Sequence, residues 1–183
     1  MIKYFRTLET LSTYVNNKYT KLFEMNINNN YFDIIFAKYR IIILERESIN
    51  TIFIRIEKLD SMLLGNIFCP VSRLIGSIDI KYDKDKLKIL DYIINSKYFE
   101  ILNNNIFGPA LNINDKKKIQ DIIFNFATNL AINNNFDKIE LIVHKNLKYY
   151  ENDDLESYGF IITNKTLFNN NDWLITEKYI HCY

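Results

Sequence analysis

The chain has 183 residues, 48% of them hydrophobic and 25% charged, with a formal net charge of +1. That length suffices for one domain with a sizeable core, and so small a charge gives no long-range pull toward nucleic acid or a membrane surface. No uncharged apolar run approaches the roughly 18 residues of a membrane span, residues 1–6 lack the apolar core of a signal peptide, and two distant cysteines make no disulfide framework. A soluble, cytoplasmic protein of a single domain, residues 1–183, is therefore expected, with no membrane partner. A nucleic-acid-binding role would need a basic stripe, whereas acidic residues are spread among the lysines. His144 and His181 have no cysteine or acidic pair at ligand spacing, so no metal site is expected. Asn, Ile, Lys and Tyr dominate while glycine and proline are scarce. This reads as a codon bias, so Lys-rich and Asn-rich runs weigh little by themselves.

Leu8, Leu11, Val15, Tyr19, Leu22 and Phe23 keep helical spacing, which predicts a helix running to about Met25. Residues 26–30 read as a loop. Residues 32–46 read as a strand broken near Ala37, and 51–57 alternate as a second strand, giving a hairpin. Residues 58–73 contain Pro70 and mixed signals, and are expected to be a loop, with room for a short helix at Ser61–Leu64. Residues 74–82 read as a strand and 83–85 as a turn. Residues 86–95 are ambiguous. Leu87, Leu90 and Ile94 suit a helix and the Ile-rich content suits a strand; the helix is preferred. Residues 98–102 are strand-like.

A β-α-β unit follows. Residues 110–113 form a short apolar strand. A helix over 115–133 carries Ile119, Ile122, Ile123, Phe126, Ala127 and Leu130 on one face. Asp115 is its expected N-cap, and the Asn133-Asn134-Asn135 run stops it. Residues 138–144 alternate as a strand. Strand, helix and strand of these lengths predict two parallel neighbours, 110–113 and 138–144. A short helical segment, a turn at Gly159 with Phe160 buried, and strands over 160–164 and 173–179 complete the chain. The fold class is mixed α/β or α+β around one central sheet flanked by helices.

One local rule is broken. Lys116, Lys117 and Lys118 occupy the first turn of the long helix, where the helix end is already positive. Such an end suits a phosphate or another anion; equally, lysine is abundant here and Asp115 offsets part of the cost.

The run Phe107-Gly108-Pro109-Ala110-Leu111-Asn112-Ile113 resembles the fourth strand of the GNAT superfamily of acyl-CoA-dependent N-acyltransferases. The helix over 115–133 resembles its cofactor helix, 139–143 its fifth strand, 74–80 its second strand, and Tyr158-Gly159-Phe160 its Gly-Phe ending. The resemblance implies acyl transfer, with acetyl-CoA as the expected donor, to an amine-bearing small molecule or protein. A homo-oligomer stays open. It also implies backbone contacts to the donor from Leu111 and Ile113, with an N–H near Ile113 facing the thioester oxygen. Phosphate contacts are implied at Lys116, Lys117, Lys118, Ile119 and Gln120, and a further contact at Asn146. Two departures stand out. The family's phosphate loop, Gln/Arg-x-x-Gly-x-Gly/Ala, falls on residues 115–120, which hold no glycine. The family's tyrosine acid falls on Leu155, so Tyr150 is the substitute candidate for protonating the thiolate. Glu140 is the candidate base, with its face of the strand left open by alternation. The alternative is a catalytically inactive domain of the same fold, serving as a binding or structural module.

Overall fold

The computed structural model describes residues 2–18, 38–46, 50–64, 67–83, 85–94, 113–144, 152–168 and 171–180. In chain order these form β1 (Ile2–Phe5), α1 (Leu8–Lys18), β2 (Tyr39–Arg46), β3 (Thr51–Leu64), β4 (Ile67–Tyr82), β5 (Lys86–Ile94), α2 (Ile113–Asn133), β6 (Lys138–His144), α3 (Asn152–Ser157), β7 (Ile161–Phe168) and β8 (Asn171–Tyr179). The strands make one sheet in the order β1-β2-β3-β4-β5-β6-β8-β7. Every neighbouring pair is antiparallel except β5 and β6, which run parallel. The expected architecture, one mixed sheet flanked by helices and built around a β-α-β unit, is present.

Alternation sets the core face. Ile41 and Ile43 on β2, Ile54 and Ile56 on β3, Ile78 and Ile80 on β4, Leu87 and Ile89 on β5, and Ile139, Leu141 and Val143 on β6 are all buried. Against this face lie α1, with Leu8, Leu11 and Val15 buried, and α2, with Ile119, Ile122, Ile123, Phe126, Ala127 and Leu130 buried. Phe124 is buried as well, which the single helical face did not include. Its ring meets Tyr92 of β5 at 5.2 Å, Tyr158 at 4.6 Å and Phe160 at 5.6 Å between centroids. Three aromatic rings, one from β5 and two from the turn between α3 and β7, therefore close around one side chain of α2, and its buried arc is wider than a helix on a sheet alone would need.

Both α2 and α3 end in the same way. Asn135 and Gly159 adopt positive φ, 56° and 83°. Phe136 N–H then donates to Ala131 C=O at 3.0 Å, and Phe160 N–H to Leu155 C=O at 3.1 Å. These are Schellman ends, which favour Gly or Asn at the left-handed position. They explain why the Asn run stops α2 and why Gly159 delivers the buried Phe160 to the core.

Three expectations are corrected. Residues 58–64 and 67–73 are not a loop but the outer arms of the β3–β4 hairpin, with Pro70 opposite Ser61; ladder pairing overrides local propensity there. Residues 86–94 are a strand, not a helix. The register slips between Asp79 and Ile80, leaving Leu90 as an extra residue in β5. This bulge shifts the alternation, so Leu87, Leu90 and Ile94 imitate helical spacing. Among the described residues the parallel neighbour of β6 is β5, where residues 110–113 are expected. Of these, 110–112 lie outside the described residues, and Ile113 opens α2. Asp115 accordingly stands inside the first turn of α2 rather than at its cap. The short strand β1 was not foreseen, and the expected strand 98–102 lies outside the described residues.

Candidate active site

The parallel pair is joined over a short distance. Its register runs Lys86↔Lys138, Leu87↔Ile139, Lys88↔Glu140 and Ile89↔Leu141, and among the described residues no further pair links the two strands. Both nevertheless continue, β5 to Ile94 and β6 to His144. The Leu90 bulge sits at the point of separation. A bulge bends its strand and breaks the ladder locally, so it turns β5 away from β6. The sheet is thus parted in its middle, and backbone N–H and C=O groups on the two inner edges are left to meet something other than each other.

On the face away from α2, a groove of about 190 Å³ opens at the same point. Its walls are Lys88, Ile89 and Leu90 from β5, Glu140 and Ile142 from β6, and Trp173 from β8. Leu90 and Ile142 are 50% and 43% exposed, which is unusual for large apolar side chains in mid-sheet. Glu140 faces this side and receives Lys86 Nζ at 3.2 Å and Lys88 Nζ at 3.4 Å. Beside it on β8, Glu177 accepts from Lys138 Nζ at 2.6 Å and from the Tyr179 hydroxyl at 2.8 Å. The Lys138 hydrogen bond holds the Glu177 carboxyl below its ordinary value against the opposing effect of burial, and the same bond raises Lys138.

The N-terminus of α2 lies at the same end of the molecule. Since α2 delivers the chain to the start of β6, its own start lies toward the strand ends that separate. Lys116, Lys117 and Lys118 fall there as expected, but they differ in what they do. Lys118 pairs with Glu9 in the first turn of α1. That hydrogen bond raises the lysine above its usual value and lowers Glu9. Lys117 is exposed and Lys116 half-buried. Ile119 is fully buried, with no exposed surface, and Gln120 is 7% exposed. These two side chains point into the packing of the helix rather than to a solvent-filled cradle. Leu111, Asn146 and Tyr150 lie outside the described residues.

A second polar cluster was not foreseen from the sequence. Glu57 of β3 is buried on the face away from the helices, where its carboxylate accepts a hydrogen bond from Arg40 Nε at 2.8 Å and forms an ion pair with Arg55, whose Nε lies at 2.5 Å without hydrogen-bond geometry. Arg40 Nη2 and the Ser72 hydroxyl also donate to it. The alternation of Arg55 and Glu57 along β3 was a legible signal for a shared face, but the arrival of Arg40 depends on cross-strand register. On the opposite face, half-buried Lys178 reaches from β8 past Gly159 to donate to the Thr128 hydroxyl of α2 at 3.0 Å. Burial holds its ammonium below the usual lysine value.

No family model and no curated protein sequence matches the chain. Solved structures similar to it include the ribosomal-protein-S18-alanine N-acetyltransferase from Escherichia coli, at 8% identity and TM-score 0.46 over 100% of this chain and 95% of that one. A probable acetyltransferase from Staphylococcus epidermidis is similar at 11% identity and TM-score 0.44, over 99% of each chain. A putative acetyltransferase from Salmonella typhimurium, solved with its cofactor acetyl-CoA, is similar at 7% identity and TM-score 0.43, over 100% of this chain and 95% of that one. At such identities and scores the site has to be read from this chain's own residues.

Proposed function

We propose that the chain is an acyl-CoA-dependent N-acyltransferase, taking acetyl-CoA as donor and an amine as acceptor. The observation that carries this reading is the parting of β5 from β6 beside the start of α2. An extended thioester arm with amide groups is chemically matched to two strand edges whose backbone groups are unpaired with each other. The fit is good at that end and thinner at the phosphate end. There the first turn of α2 has no glycine to let backbone approach closely, and Lys118 is engaged by Glu9. Lys116 and Lys117 are the residues left to hold the phosphates as point charges.

When bound, acetyl-CoA supplies an acyl group activated as a thioester. On the protein side, Glu140 is assigned the base, taking one proton from the acceptor ammonium so that the nitrogen can attack. Its place at the groove, where the strands separate, supports that role. A backbone N–H near Ile113 would face the thioester oxygen, and Tyr150 would return a proton to the leaving sulfur, with Leu111 and Asn146 as further donor contacts. The second reading, a binding module that has lost the cofactor, draws on the Lys118–Glu9 pair and the missing glycines.

Calorimetric titration with acetyl-CoA separates the two. The enzyme reading expects binding that weakens as salt rises, because lysines hold phosphate through charges screened over about 8–10 Å near physiological ionic strength. It also expects loss of binding when Lys116, Lys117 and Lys118 are changed together to Ala. Absence of binding at low salt in the unaltered protein would leave only the module.

A further inference from the structure

We propose that the groove takes a free α-amino acid with an apolar side chain, its ammonium on Glu140, its carboxylate on Lys88 and its side chain against Leu90, Ile142 and Trp173. This rests on the acyl-transfer reading for what happens to the amino group, but the binding itself stands on the groove.

Three features select that occupant. The first is charge. Three strands bring Lys86, Lys88 and Lys138 into ion pairs with two carboxylates, Glu140 and Glu177. Glu177 is committed to Lys138 and Tyr179. Glu140 accepts a hydrogen bond from Lys86 at 3.2 Å, whereas Lys88 makes only an ion-pair contact with it, at 3.4 Å. Lys88 can therefore turn to a ligand carboxylate while Glu140 keeps Lys86. A zwitterion matches this pair end for end. A polyamine, an aminoglycoside or a lysine-rich tail would offer Lys88 no carboxylate.

The second feature is the wall. Leu90, at the bulge, and Ile142 stand half-exposed on either side of the parting, with Trp173 beside them. Covering them favours an apolar group of modest size. The third is volume. At about 190 Å³ the groove is smaller than the several hundred Å³ of a pocket that encloses a drug-sized molecule. It suits one amino acid. A peptide N-terminus would place an amide, not a carboxylate, against Lys88.

In the transfer, the amino nitrogen forms a bond to the acyl carbon as the carbon–sulfur bond breaks. Of the two protons the nitrogen gives up, one passes through Glu140 to solvent and the other goes to the departing sulfur. No oxidant or reductant enters.

The chain contains one tryptophan, Trp173, so its fluorescence reports the groove without any donor present. Titration with L-leucine is expected to give a saturable change. Leucinamide, which lacks the carboxylate, and spermidine should bind at least about tenfold more weakly, a difference of the size one lost charged contact produces. Lys88→Gln should abolish the preference of leucine over leucinamide while the circular dichroism stays that of the parent. Leucine binding with no acetyl-CoA binding would sink the donor and leave the groove assignment standing. The assignment is overturned if leucine neither alters the fluorescence nor is retained in equilibrium dialysis. Spermidine or leucinamide binding as tightly as leucine, or an unchanged preference in Lys88→Gln, would overturn it equally.

Discussion

Glu57 and Glu140 occupy the same face of the sheet, and each stands between two cations, yet they are built for different ends. Glu57 has 3% of its side chain exposed, is gripped by the guanidinium fork of Arg40 and by the Ser72 hydroxyl, and has the charge of Arg55 beside it. Glu140 has 12% exposed and meets two lysine ammonium groups at 3.2 and 3.4 Å. A planar fork fixes a carboxylate from set directions, whereas an ammonium on a four-carbon stem is a movable point charge. The first arrangement locks β2, β3 and β4 together. The second leaves a carboxylate that can exchange one partner for a ligand. Under the proposed function, one sheet holds a structural acid and a reactive one without any change of residue type.

The largest expected difference between them is in turnover. Glu140→Gln should lower kcat by about 10²- to 10⁴-fold, the range for loss of a positioned base, and leave acetyl-CoA affinity nearly unaltered in calorimetry. Glu57→Gln should retain the parent kcat. Equal turnover in both variants would erase the distinction.

Stability should reverse the order. Glu57→Ala leaves two arginines facing each other without their shared acid, a loss of about 3 kcal/mol in urea unfolding. Glu140→Ala removes a more exposed pair and should cost no more than about 1 kcal/mol. If Glu140→Ala proves the more damaging, the groove carboxylate is a structural brace.

Acid titration sharpens the same point. Burial by itself would raise the Glu57 carboxyl, but hydrogen bonds from Ser72 and Arg40 and the charges of Arg40 and Arg55 outweigh it and hold it low. A carboxyl depressed in the folded state stabilises fully above its unfolded value of about 4.3, and that stabilisation is lost as pH falls through the folded value. Urea midpoints of Glu57→Gln should therefore decline less steeply below about pH 4 than those of the parent. Parallel curves would show that Glu57 does not drive acid unfolding.

The smallest effect belongs to the helix end. Replacing Lys116 and Lys117 by Ala removes positive charge from a positive helix terminus and should stabilise the protein by a few tenths to about 1 kcal/mol, read as a rise in melting temperature. A loss of stability would mean that these lysines have acidic partners.

Much of the frame was legible because it depends on local periodicity. The face of α2, the strand 138–144, the Asn stop and the Gly159 turn all follow from short-range pattern and backbone conformation. The errors arose where tertiary pairing decides. Leu90 belongs to no period because a bulge is defined by the partner strand, so β5 looked helical. The arms of the β3–β4 hairpin look irregular until their register with each other is known. At the site, Glu140 was named but its face was not. Lys118 was named for phosphate, while its meeting with Glu9 depends on the packing of α1 against α2. Nothing within either segment announces the other. The Glu57 cluster was missed for the same reason, since Arg40 and Ser72 come from different strands.

The connectivity of the sheet also bears on how it assembles. From β2 to β5 each strand pairs with the one just before it in the chain, across short turns. The β5–β6 seam joins Lys86 to Lys138 only after a long stretch that includes all of α2. Closing so distant a contact is entropically slower than closing a hairpin. The meander should therefore collapse early, and the seam, with the groove beside it, should be the late event in refolding. In a stopped-flow experiment, Trp173 emission would then lag behind the far-ultraviolet signal of the sheet. On that schedule, a chain stalled before the last step has most of its strands and no groove.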